Sequence, residues 1–95
     1  MDTELIIVKE YIRHTRIEPK FIALLEENGL IRTKKIENEH YLFSDELAEL
    51  ERYAHLYYDL SINIEGIDAI HNLLQRIETL QNEMRELRDR LRFLE

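Results

Sequence analysis

Glu51, His55 and Asp59 follow one another at four-residue intervals, the spacing that puts three side chains on one face of a helix. Such a row could touch a divalent cation. A metal site needs ligands converging from several directions, however, and one helix cannot enclose an ion. The row therefore reads as a surface ladder. His14 and His40 are scattered, and His71 reads as a partly buried core histidine. No His-Glu-x-x-His pair, nucleophile elbow or P-loop occurs, and two glycines exclude glycine-rich phosphate cradles. The absence of cysteine rules out thiol catalysis and disulfides. Carboxylates are abundant, but nothing in their pattern suggests a concave pocket. No enzyme, cofactor, metal or small-molecule substrate is expected.

The remaining chemistry is charge. The net charge is −7, and most of the excess falls in the first sixty residues, with thirteen acids against eight bases. Between Glu37 and Glu51 there are six acids and no Lys or Arg. A run of this kind is commonly a solvated face. Its sharper reading is an acidic surface that meets a basic partner. Duplex DNA would be repelled at long range unless a local basic patch compensated.

The elements that must carry these side chains follow from periodicity and caps. Val8, Tyr11 and Ile12 predict a short helix over 8–14, and residues 15–18 a turn. Glu18-Pro19 opens a second helix, because proline suits the first helical position and an acid the positive end of the dipole. Phe21, Ile22, Leu24 and Leu25 carry it to a left-handed cap at Asn28-Gly29. The pair makes a helix-turn-helix. Residues 32–43 predict a two-stranded hairpin, a wing, with Glu37-Asn38-Glu39 in its middle. Ser44, followed by Asp45 and Glu46, reads as the N-cap of a helix running to about Asp59, whose stripe is Leu47, Leu50, Tyr53, Ala54, Tyr57 and Tyr58.

Asn63 is the expected N-cap of the last helix, and Ile64, Ile67 and Ile70 continue the core of the head. From Ile70 a strict heptad takes over. Ile70, Ile77, Met84 and Leu91 occupy one set of seam positions, and Leu73, Leu80, Leu87 and Leu94 the other. A lone helix would leave this seam in water. Full burial of each such side chain stabilises by about 1.5–3 kcal/mol, so a partner helix must cover it. The same helix of a second copy is the simplest partner. Flanking contacts in a parallel pair would match Arg76 with Gln81, Glu83 with Arg88 and Arg90 with Glu95, two of three attractive, a soft preference because such pairs are weak, and Leu74 beside the seam could instead favour packing back on the head or a higher-order bundle. The expected fold is mainly α: a winged helix-turn-helix head over 1–69 and a coiled-coil dimerisation helix over 70–95. Leu5-Ile6-Ile7-Val8 is too short for a leader or a membrane span, so a cytoplasmic location and no membrane partner are expected.

Helix-turn-helix plus wing is also a DNA-reading layout. Its second helix should present Arg, Lys, Asn, Gln or Ser to the major groove. Here the candidates are Lys20, Ala23, Glu27 and Asn28, with Leu24 and Glu26 nearby. Arg32, Lys34 and Lys35 could meet phosphate at the wing root, but Glu37 and Glu39 follow where phosphate would be repelled. No nucleic-acid partner is expected, and a DNA-binding transcriptional regulator is the alternative reading.

Leu25-Glu26-Glu27-Asn28-Gly29-Leu30-Ile31, Tyr41-Leu42-Phe43-Ser44-Asp45 and Asn63-Ile64-Glu65-Gly66-Ile67 together resemble the MerR-type winged-helix family. Ala23 and Leu24 stand where that family carries an Arg-Tyr pair, and no effector-binding segment is expected after the coiled coil. The stretch from Asp59 to Ile70, continuing as Leu73-Leu74-Gln75-Arg76-Ile77-Glu78, resembles the CbpM chaperone-modulator family, as do Lys9-Glu10-Tyr11 and His14-Thr15. That resemblance implies binding to the J-domain of a DnaJ-like co-chaperone of the CbpA type. It implies inhibition of that co-chaperone's action on DnaK, and restraint of its DNA binding. The resemblance also implies a target in the basic helix through which a J-domain engages DnaK, which an acidic head could cover by charge complementarity. Glu18, Glu26, Glu27, Glu37, Glu39, Asp45 and Glu46 are the candidate contact residues, chosen by charge and element.

Overall fold

A computed structural model describes residues 4–94. Strand β1 (Leu5–Ile7) runs straight into helix α1 (Val8–Arg13), followed by α2 (Pro19–Glu27), strands β2 (Thr33–Ile36) and β3 (Glu39–Phe43), α3 (Leu47–Ala54) and α4 (Ile64–Leu94). The fold is mainly α, a winged helix-turn-helix head with a long C-terminal helix, as the sequence predicts. The sheet corrects one expectation. It has three strands rather than two, in the order β1-β3-β2 and antiparallel throughout. Leu5, Ile6 and Ile7 pair with Phe43, Leu42 and Tyr41. Three residues carry too little alternation to announce a strand, and their partner lies more than thirty residues away.

Local rules explain the helix-turn-helix. Pro19 is the first residue of α2, where its missing N–H leaves no gap. At the other end Gly29 takes φ 70°. Its N–H donates to the Glu26 carbonyl at 3.0 Å, and Leu30 N–H donates to Leu25 at 2.9 Å. This is a complete Schellman closure, and the buried Leu25 and Leu30 sit at its two apolar positions. The wing turns on Glu37 and Asn38, both at positive φ (48° and 67°), which is the backbone of a two-residue primed turn. Glu39, expected in the turn, instead begins β3 and pairs with Ile36.

Ser44 corrects a second expectation. Its hydroxyl makes no helix cap; it accepts a hydrogen bond from Glu4 N–H at 3.1 Å, and Ser44 N–H donates to the Glu4 carbonyl at 2.9 Å. Ser44 thus clamps the edge strand, and the chain passes through a 3-10 turn at Ser44–Glu46 before α3. After Ala54 the helix widens into a π turn at His55–Asp59. There adjacent residues Tyr57 and Tyr58 both reach Phe21, with ring centroids at 4.6 and 5.3 Å.

Asn63 caps α4 as expected: its Oδ1 accepts from Gly66 N–H at 2.8 Å. A Cβ on Gly66 would lie 2.7 Å from Ile62 Cγ2, so the chain needs glycine where the helix starts against its own cap. Replacing Asn63 with Ala should cost about 1 kcal/mol, read as a lower urea midpoint at unchanged slope. An unchanged midpoint would show that the cap is dispensable.

The core of the head gathers Phe21 and Leu25 from α2, Leu42 from β3, Leu50 and Tyr53 from α3, and Ile67 from α4. Ile64 packs against it, while Ile70 is only half-buried. Beyond His71 every described residue of α4 is exposed. The 31-residue helix is about 46 Å long at ~1.5 Å per residue, and the molecule measures 59 × 34 × 22 Å. The tail therefore projects from the head. Among the described residues no helix is long and apolar enough to cross a membrane. Residues 1–3 and Glu95, at the ends of the two segments expected from sequence, lie outside the described residues.

Candidate partner-binding surface

The helix-turn-helix is held from the outside to the π turn that follows α3. Arg16 makes a two-pronged ion pair with Asp59, one prong at 2.6 Å. His55 Nδ1 contacts the same carboxylate at 2.7 Å. The Tyr58 hydroxyl accepts from Glu18 N–H at 3.1 Å. The Glu51–His55–Asp59 row thus uses Asp59 to anchor the turn between α1 and α2. Among the described residues no group of three or more potential ligands converges on a metal position. The Arg16 hydrogen bond, then that of His55, holds the Asp59 carboxyl well below the usual carboxylate range. A depressed folded pKa contributes stability above the unfolded pKa of about 3.9, and that contribution is lost as pH falls through the folded value. Asp59→Asn should therefore flatten the acid limb of urea stability below about pH 4. An acid limb as steep as in the unaltered chain would dissociate the ladder from stability.

The seven candidate acids differ in their surroundings. Glu46 is structural: its carboxylate accepts from Arg32 N–H at 2.7 Å and from Arg32 Nε at 2.8 Å, tying the start of α3 to the loop after α2. Asp45 joins this cluster, 3.6 Å from Arg32. Arg32 also lies over the Phe43 ring at 4.7 Å, so this wing-root cation is engaged within the head. Glu39 is half-buried and pairs with Lys9 at 3.8 Å. Glu18, Glu26, Glu27 and Glu37 are exposed and make no ion pair among the described residues. Glu18 stands at one end of α2, with Glu26 and Glu27 at the other. Glu26 and Glu39, far apart in sequence, line one groove between α1, α2 and the hairpin.

The outward face of α2 decides what the head can read. Its exposed residues are Pro19, Lys20, Ala23, Glu26 and Glu27, one cation against two anions. Over residues 19–43 four basic side chains meet four acidic ones. This surface lacks the excess of cations that gathers phosphate. The larger acid surplus lies on 44–59, where five acids meet one Arg. Much of it is paired internally, through Arg32–Glu46, Arg16–Asp59 and Arg52–Glu49.

Two further contacts fix the tail on the head. The Tyr53 hydroxyl and His71 Nδ1 share a hydrogen bond of 2.9 Å, joining α3 to α4. Burial, followed by the charge of Glu49, pushes the Tyr53 hydroxyl up to about 12, so it stays protonated across the working range. No sequence signal paired these two residues. The eight seam residues lie along α4, and Leu73, Ile77, Leu80, Met84, Leu87, Leu91 and Leu94 are exposed on it.

A helix-turn-helix, an adjoining three-stranded wing and a long projecting helix define a winged helix-turn-helix protein. The family model described as MerR HTH family regulatory protein matches residues 6–89, and the chain belongs to that family. No curated protein and no solved structure matches it.

Proposed function

We propose that the chain is a non-enzymatic modulator that captures the J-domain of a DnaJ-like co-chaperone of the CbpA type and prevents it from stimulating DnaK. The observation that carries this reading is the outward face of α2. The helix that a DNA reader would lay in the major groove carries Glu26 and Glu27 in its last turn and Ala23 at its centre. A cationic protein helix is attracted to such a face, and a phosphate backbone is not. The motifs shared with the CbpM chaperone-modulator family supply the class of partner. Two copies joined along the seam of α4 would present two heads, and a cytoplasmic location fits a modulator of this system.

The test is a titration of purified J-domain into the full chain at low and high salt. Binding should weaken as salt rises, and Glu26→Lys/Glu27→Lys should weaken it at least about tenfold, because like charges then face each other across the contact. A gel shift on duplex DNA runs alongside. Salt-insensitive J-domain binding that ignores both reversals would remove the electrostatic mechanism. Tight duplex binding without J-domain binding would make the chain a DNA-binding transcriptional regulator instead.

A further inference from the structure

The groove between α1, α2 and the hairpin has a volume of about 370 Å³. Five aliphatic residues line it, Val8 and Ile12 from α1 with Pro19, Ile22 and Ala23 from α2, beside the polar Lys9, Thr33, Asn38 and His40. Val8–Ile12 and Pro19–Ala23 are each one helical turn apart, so each helix turns one stripe toward the same trough. Glu26 from α2 and Glu39 from β3 add acidic groups from two different elements. The trough lies beside the surface a DNA reader would use, yet its aliphatic side chains offer nothing to a phosphate or a base edge, and its Lys9 is already paired with Glu39.

From this combination the geometry points to a docking site for one amphipathic helix of a protein partner. The helix would insert an aliphatic side chain between α1 and α2 and place a Lys or Arg beside it, against Glu26 and Glu39. This rests on the protein-partner reading above and adds where the contact is made and that it is apolar at its centre. A side chain seated in a desolvated pocket near the centre of an interface is where binding energy concentrates, and Arg is among the residues enriched there. Lys9 lines the same trough and pairs with Glu39 at 3.8 Å, with its own side chain 78% exposed. Such an exposed pair is weak, so an incoming cation can replace Lys9 at little cost. Ala23, small and exposed, adds little bulk to the trough. The hairpin wall is held by the primed turn at Glu37-Asn38, and Asn38 itself lines the trough.

The experiment uses the full chain, isotopically labelled, with two probes. One is a helical peptide carrying leucines one turn apart flanked by lysines; the other is the purified J-domain. Both should shift the amide signals of Val8, Ile12, Ala23 and Thr33 in preference to those of α3. Ala23→Phe, which fills the trough without changing charge, should weaken both probes at least about tenfold, as expected for loss of a central anchor. Glu39→Lys should weaken both as well, and replacing the peptide's lysines with glutamates should abolish its binding. Thermal melting of each variant separates lost folding from lost binding, and the shift map of the unaltered chain stands without any variant. J-domain shifts elsewhere on the head, unaffected by Ala23→Phe, overturn the trough while leaving the J-domain reading intact. Peptide binding in the trough without J-domain binding keeps the trough and removes that reading. Shifts from neither probe overturn the trough outright.

Discussion

Replacing Phe21 with Ala should lower the stability of the head by about 3–5 kcal/mol, the usual range for truncating a buried aromatic side chain. Phe21 is 2% exposed and lies where α2 meets the π turn, its ring 4.6 Å from Tyr57 and 5.3 Å from Tyr58. Truncation leaves those two rings facing a void, and the Tyr58 hydroxyl that holds Glu18 N–H loses its backing. A domain of this size has only about 5–15 kcal/mol to lose. At ~4–8 °C per kcal/mol for a domain of this size, the melting temperature should fall by at least about 12 °C. Phe21→Leu, which keeps most of the volume, should fall much less. Because Phe21 fixes the inner side of the helix whose outer side carries Ala23, Glu26 and Glu27, partner binding should be lost in step with the melting transition. A Phe21→Ala chain that melted within a few degrees of the unaltered one would show that α2 is held by something other than this aromatic cluster.

The second large effect concerns α4. Leu80 and Leu87 are each 57% exposed, on the stretch of α4 beyond His71 where every described residue is exposed. Covering a half-exposed leucine recovers about half of the ~1.5–3 kcal/mol of full burial, and a pair of copies buries four such side chains at these two positions. Leu80→Lys/Leu87→Lys should therefore weaken self-association by at least about a hundredfold, and like charges facing each other add to the loss. Sedimentation equilibrium is the measurement. The unaltered chain is expected at twice its 11.6 kDa mass and the double variant at that mass. Helix content should fall with it, because an unpacked helix of this length is marginal in water. Gln75→Lys, outside the seam, is the control and should leave association unchanged. An unaltered chain that sediments as a monomer at micromolar concentration would remove the proposed seam.

Much of the architecture is written in local chemistry. The Pro19 start, the Gly29 closure and the Asn63 cap each depend on side chains within a few residues of one another, so they can be read along the chain. The same holds for the heptad of α4, whose register is a property of one helix. The wing was legible as a hairpin because strand, turn and strand are contiguous. Ser44 was misread because its hydroxyl has a competing partner forty residues away, in a strand too short to be seen beforehand.

The candidate site divides along the same line. That the head is acid-rich follows from composition, and that α2 carries Ala23, Glu26 and Glu27 on its outer side follows from helical spacing. Which of the other acids face outward does not. Arg32 reaches fourteen residues forward to engage Glu46, and Arg16 reaches forty-three to engage Asp59, so those carboxylates serve the fold. Glu26 and Glu39 meet across one trough only because α2 and β3 pack around it. Caps, helical stripes and the heptad are short-range and survive in the one-dimensional order of residues. Ion pairing, strand order and the concavity between α1, α2 and the hairpin depend on distances that exist only once Phe21, Leu25, Leu50 and Ile67 have closed the core.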